Sequence, residues 1–167
     1  MDIVTSIIIS SIINNIALHL SCEINDSIKE RIKTYSEKNL SDDKKELLKN
    51  FNHDEKNIRE VINVCHENLS KIFKDGQSIS DISDIPKIMS ICKNIFESIK
   101  SLNLNLSKQY IFLICEITCQ LLIIVLTKDI KETREIDLFL DILSSSIKLI
   151  DFDFKKGAKS KFWFLCC

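Results

Sequence analysis

The sequence predicts an all-α protein: a compact bundle of five or six helices around a central hydrophobic helix at about residues 108–127, led by a long N-terminal amphipathic helix. Three observations carry this expectation. Apolar residues recur at helical rather than alternating spacing along most of the chain. Gly76, Gly157 and Pro86 are the whole complement of glycine and proline, too few for the turns a sheet requires. The stretch Tyr110 to Thr127 is apolar nearly all round, as a helix with neighbours on every side would be.

A chain of 167 residues with 45% hydrophobic content can bury one self-supporting core. We expect a single bundle domain over residues 1–151 and a basic, aromatic tail over 152–167. The net charge of −1 arises from 23 basic and 24 acidic residues that are well mixed, so no global field draws in nucleic acid or an acidic substrate. No nucleic-acid partner is expected. The seven cysteines are an odd number, and Cys22, Cys65, Cys92 and Cys115 fall at apolar positions, where a free thiol packs as a small hydrophobe. That usage points to a reducing compartment. Asp2 follows Met1 where a signal peptide would carry basic residues, so a cytoplasmic location is expected and the sequons at Asn25, Asn39, Asn68 and Asn105 are read as unused. Abundant isoleucine with scarce Gly, Ala and Pro fits an A+T-rich coding sequence, as in some protists or large DNA viruses.

Taken in order, Ile3/Val4, Ile7/Ile8, Ile12/Ile13, Ile16/Ala17 and Leu20 repeat at a helical period, and Ile24, Ile28, Ile32 and Tyr35 extend it. One helix to about residue 38 is expected. Its first part, Ile3 to Cys22, carries no charge and approaches the roughly 20 residues of a membrane span. Its Ser, Asn and His residues favour a buried or interfacial amphipathic helix instead. Ser41-Asp42-Asp43 caps a short helix with Leu47, Leu48 and Phe51, and Asn52 with Glu55 is a capping-box signature. The helix that follows carries Ile58, Val61, Ile62, Cys65, Leu69, Ile72 and Phe73 and ends at Asp75-Gly76. A polar loop from Gln77 to Ser83 leads to Asp84 and Pro86, a preferred helix start, before Ile88, Cys92, Ile95, Phe96 and Ile99. Ser107 opens the central helix, and a last helix is expected from Ile136 to Ile150.

Glu116 is the sole charge of the central stretch, and Gln120 lies one turn further on the same face. They are expected as a buried polar pair, with the carboxylate satisfied by Gln120 or by a lysine from another helix, because an unpaired buried carboxylate would resist ionisation. No phosphate-binding glycine loop, nucleophile elbow or His/carboxylate pair accompanies them, and no enzyme activity or cofactor is expected. His19 with Cys22, Cys65 with His66, and Cys115 with Cys119 have ligand types at reachable spacing, but none forms the paired CxxC pattern of a zinc site. No metal is expected.

The tail is the stretch that bundle packing does not explain. Lys155, Lys156, Lys159 and Lys161 precede Phe162, Trp163, Phe164 and Leu165, and Cys166 and Cys167 follow. Lysines attract an anionic leaflet, aromatic residues settle at its interface, and acylated cysteines add apolar anchorage. The Cys166-Cys167 pair resembles the double-cysteine ending of Rab-type small GTPases, which implies geranylgeranylation, but nothing else in the chain resembles a GTPase. Palmitoylation of the two cysteines is the chemistry that transfers to this context. The expectation is therefore a non-enzymatic helical protein at the cytoplasmic face of a membrane, held at an anionic surface by this tail and acting through a protein partner that the residues do not identify. In general plan, a central hydrophobic helix wrapped by amphipathic ones resembles Bcl-2-like cell-death regulators, including divergent viral ones, although the Asn-Trp-Gly-Arg motif of that family is absent. A membrane-inserting or pore-forming protein, using residues 3–22 or 110–127, is a third reading.

Overall fold

The structure, a computed structural model, describes the backbone of residues 2–50, 55–71, 85–104, 106–129 and 133–165, and the side chains of these apart from 85, 133 and 151–165. Seven helices occupy the described residues: α1 Ile3–Leu20, α2 Asp26–Asn39, α3 Asp42–Lys49, α4 Glu55–Leu69, α5 Ile85–Ser101, α6 Lys108–Leu126 and α7 Thr133–Leu165. Among the described residues the secondary structure is all helical and the bundle compact, as the periodicity predicts.

The centre is α6. Every residue from Leu113 to Val125 is buried, because α4 and α7 cover it most extensively while α1, α2, α3 and α5 close the remaining sides. Each neighbour contributes a stripe at helical spacing: Ile8, Ile12 and Ile16 from α1, Ile58, Ile62 and Leu69 from α4, and Ile88, Ile95 and Ile99 from α5. From α7 come Ile136, Phe139, Leu143 and Ile147. Fully burying such a side chain stabilises the fold by about 1.5–3 kcal/mol relative to exposure, so these stripes hold the bundle together.

The single N-terminal helix expected to about residue 38 is two helices. Ser21 adopts a left-handed conformation (φ 49°, ψ 44°) and caps α1 by donating its N–H to the carbonyls of Ala17 and Leu18. Asn25 then starts α2, its side-chain oxygen accepting from Ile28 N–H at 2.9 Å. The periodicity passes through this corner because Leu20 and Ile24 happen to keep the spacing, and no glycine marks the left-handed position. At the other end α7 runs on beyond Ile150, where its end was expected, to Leu165. Ser41 caps α3 as expected, accepting from Lys44 N–H. The expectations that rest on Phe51, Asn52, Ile72, Phe73, Asp75-Gly76, the loop 77–83 and Asp84 lie outside the described residues.

Candidate functional site

Glu116 and Gln120 sit on successive turns of α6 and are both buried, yet each is satisfied from a different helix. Glu116 Oε1 accepts from Lys44 Nζ of α3 at 3.0 Å and from Ser144 Oγ of α7 at 2.7 Å. Gln120 Oε1 accepts from the Tyr35 hydroxyl of α2. Burial, reinforced by the Glu116 charge, pushes the Tyr35 phenol well above its ordinary range, so it stays a neutral donor. The carboxylate thus accepts from an amino group and a hydroxyl of two other helices, which makes it a cross-tie between α3, α6 and α7.

A second tie closes the C-terminal end of α6. Arg31 of α2 donates to the Thr127 carbonyl and hydroxyl oxygens, each at 3.1 Å, while the Thr127 hydroxyl donates to the Ile123 carbonyl at 2.6 Å. An arginine fork here satisfies a carbonyl that the helix leaves unpaired and complements the negative end of its dipole. Sequence reasoning missed Arg31 because its partner is far away in the chain.

The cysteines form a group of which the sequence paired only Cys115 with Cys119. Cys65 of α4, Cys92 of α5 and Cys115 and Cys119 of α6 are buried free thiols, whereas Cys22 is half-buried. Hydrogen bonding with Cys115 together with burial raises the Cys65 thiol, and hydrogen bonding with Cys65 together with burial raises Cys119. Burial raises Cys92 and Cys115 as well. All four are therefore protonated at neutral pH and poor nucleophiles. His19 meets α4, its Nε2 lying 2.9 Å from His66 Nδ1 with the rings edge to face. Burial first, and then the neighbouring His19, lower the His66 pKa. No set of three or more metal-ligating side chains occurs among the described residues.

The residues of the tail divide into two kinds. Cys166 and Cys167 lie outside the described residues. Lys155, Lys156, Lys159, Lys161, Phe162, Trp163, Phe164 and Leu165 belong to the last turns of α7 by backbone, and their side chains lie outside the description. Just before them, Ile150 lines an apolar recess of about 240 Å³ together with Phe96, Ile99, Leu104, Ile111 and Phe112. The Phe96 and Phe112 rings stand 4.6 Å apart at 47°. Lys100, Asn103 and Lys108 form its exposed lip. The sequence signal for this recess is faint, because its apolar residues look like ordinary core positions and only the half-exposure of Phe96, Leu104, Ile111, Phe112 and Ile150 in the fold sets them apart.

Among the described residues two helices are long and apolar enough to cross a membrane, α1 and α6, with mean hydropathies of 1.8 and 2.1. Packing accounts for α6, whose stretch is 72% buried, but less for α1, which is 33% buried and leaves Ile3, Ile7 and Leu18 exposed. No protein-family model, curated protein or solved structure matches the chain.

Proposed function

We propose that this bundle is a non-enzymatic peripheral membrane protein of the cytoplasmic face, held at an anionic surface by the end of α7 and acting through contacts with a protein partner. The observation that carries this reading is the unbroken path of α7 from its buried residues Phe139, Leu143 and Ile147 to Leu165. A basic, aromatic segment that continues a packed helix is rigidly coupled to the core, so surface binding also orients the bundle. Each lysine near an anionic leaflet contributes about 1 kcal/mol, and the aromatic run adds interfacial burial. Acylation of Cys166 and Cys167 would make the attachment stable rather than reversible. The test is flotation of full-length protein with vesicles containing phosphatidylserine or only phosphatidylcholine. Replacing Lys155, Lys156, Lys159 and Lys161 by Gln should lower partition by about two to three orders of magnitude; equal binding to both vesicle types, or no effect of the replacements, overturns the proposal.

The enclosure of α6 favours a second reading, a helical cell-death regulator of Bcl-2-like plan. A helix buried from Leu113 to Val125 and wrapped by amphipathic helices supports that analogy of architecture. Saturable binding of an amphipathic helical death-domain peptide to the purified protein would favour it, and absence of such binding would remove it.

A further inference from the structure

We propose that the cleft between α2 and α7 binds a small linear zwitterion with an apolar body, of the class of ω-amino acids and short apolar peptides, its ammonium held by Glu30 and Asp137 and its carboxylate by Lys38. The inference is independent of the membrane reading of α7, because the cleft belongs to the bundle and has its own chemistry.

The cleft follows from the way three helices pack. Both α2 and α7 lie on α6, and a space of about 240 Å³ stays open between them. Its floor consists of buried apolar residues, Ile124 of α6 with Ile136 and Leu140 of α7, beside the buried ring of Tyr35. Water over such a floor is unfavourable. The volume is below the roughly 300–1,000 Å³ of a drug-sized site, so it selects a small and slender occupant.

Charge is ordered along the length of the cleft. On α2 the lining residues begin with Glu30 and Arg31 and end with Lys38 and Asn39, about 12 Å apart at a rise of about 1.5 Å per residue. Both walls run opposite to α6, since Arg31 meets Thr127 where Tyr35 meets Gln120, and Ser144 meets Glu116. Asp137 stands at the Arg31 end: burial lowers the Arg31 pKa, and the Asp137 charge opposes that shift. Arg31 nevertheless donates to the carbonyl and hydroxyl oxygens of Thr127, each at 3.1 Å, which commits its charge to the end of α6. This end therefore presents carboxylates from both walls, Glu30 on α2 and Asp137 on α7, with Asp141 one turn further along α7. The far end presents the Lys38 ammonium.

A ligand with an ammonium at one end, a carboxylate at the other and methylenes between them satisfies all three parts of this lining. A bare amine leaves Lys38 without its counter-charge, and a bare acid meets carboxylates at the opposite end. Each charged group of the zwitterion gains a charge-assisted hydrogen bond beside a surface that sheds water.

The experiment is titration of full-length protein, followed by amide NMR shifts, with 6-aminohexanoate, hexylamine and hexanoate, which share one chain length and carry both charges, the positive one or the negative one. 6-Aminohexanoate should saturate at one per chain and shift amides of α2 and α7, while each single-charge analogue should bind about tenfold more weakly. Lys38→Gln should lower its affinity to that of hexylamine and leave hexylamine unchanged. Asp137→Asn combined with Asp141→Asn should lower it to that of hexanoate. Thr34→Trp, at an exposed position lining the cleft, should block entry while leaving the core intact. The dipeptide Gly-Leu, run against its amide and its N-acetyl derivative, separates the two sources: tighter binding than 6-aminohexanoate marks a peptide occupant, and weaker binding an amino-acid one. Equal affinity of hexylamine and 6-aminohexanoate for the unaltered protein, absence of saturable binding by both zwitterions, or binding that survives Thr34→Trp overturns the proposal.

Discussion

Lys44 Nζ lies 3.0 Å from Glu116 Oε1 across 72 residues of sequence, and it joins the shortest helix to the central one. The lysine is one-quarter exposed and the carboxylate almost fully buried, with side-chain exposures of 25% and 8%. The partners therefore contribute unequally. Lys44→Met leaves the carboxylate buried with Ser144 alone and should cost about 2–4 kcal/mol, whereas Lys44→Met combined with Glu116→Leu should recover most of that loss. Urea denaturation of the two single variants and the double variant, read as a cycle, checks the coupling. Additive losses would show that the pair contributes nothing specific.

Ser21 is held in the left-handed region without being glycine. Ser21→Gly should stabilise the protein by about 0.5–1 kcal/mol, since removal of the Cβ clash outweighs the added freedom of the unfolded chain. Ser21→Val should destabilise it by more than the glycine variant gains. Thermal unfolding followed by circular dichroism reads both.

The His19–His66 contact predicts a direction of pH dependence. His66 has a lowered pKa from burial and from His19, partly opposed by Glu67. Its neutral form is thus favoured by folding, and the unfolded chain binds more protons in the window between the folded value and about 6.5. Stability from this group is complete above about pH 6.5 and is lost as pH falls through the lowered folded pKa. In NMR titration His66 should titrate below the ordinary histidine range, and His19→Ala should bring it part of the way back. His66→Gln should flatten the acid side of the stability curve.

The buried thiols predict a labelling order. In a background with Cys166→Ser and Cys167→Ser, half-buried Cys22 should react with a thiol reagent first. Cys65, Cys92, Cys115 and Cys119 should react only at the rate of opening of the fold, because they are both inaccessible and protonated. Mass spectrometry of partially labelled protein, site by site, tests this. Fast labelling of any of the four would contradict their placement.

Legibility in the sequence followed the range of the interaction. The role of α6 could be read directly, because a run with only Glu116 charged has no face to offer water. The stripes of α4 and α5 were legible for the same local reason. The corner at Ser21 was not, since its signal is a backbone conformation that serine seldom adopts rather than a residue type. Neither Lys44 nor Arg31 could be assigned in advance, as each is an ordinary surface-type cation until the fold brings Glu116 or Thr127 to it. The exposure of Ile3 and Ile7 also escaped a periodicity argument, because α1 alternates isoleucine between its covered and open sides.

A helix greasy on every side has no preferred angle about its own axis; each rotation presents similar hydrocarbon to its neighbours. Sliding α6 by a single residue would turn it by about 100° and still bury isoleucine and leucine. What such a slip cannot do is keep Glu116 against Lys44 and Ser144 while keeping Gln120 against Tyr35. The two polar side chains work as the teeth of a key, selecting one angle and one height from many of nearly equal hydrophobic energy. Their service to the protein is singularity of the native state more than its depth.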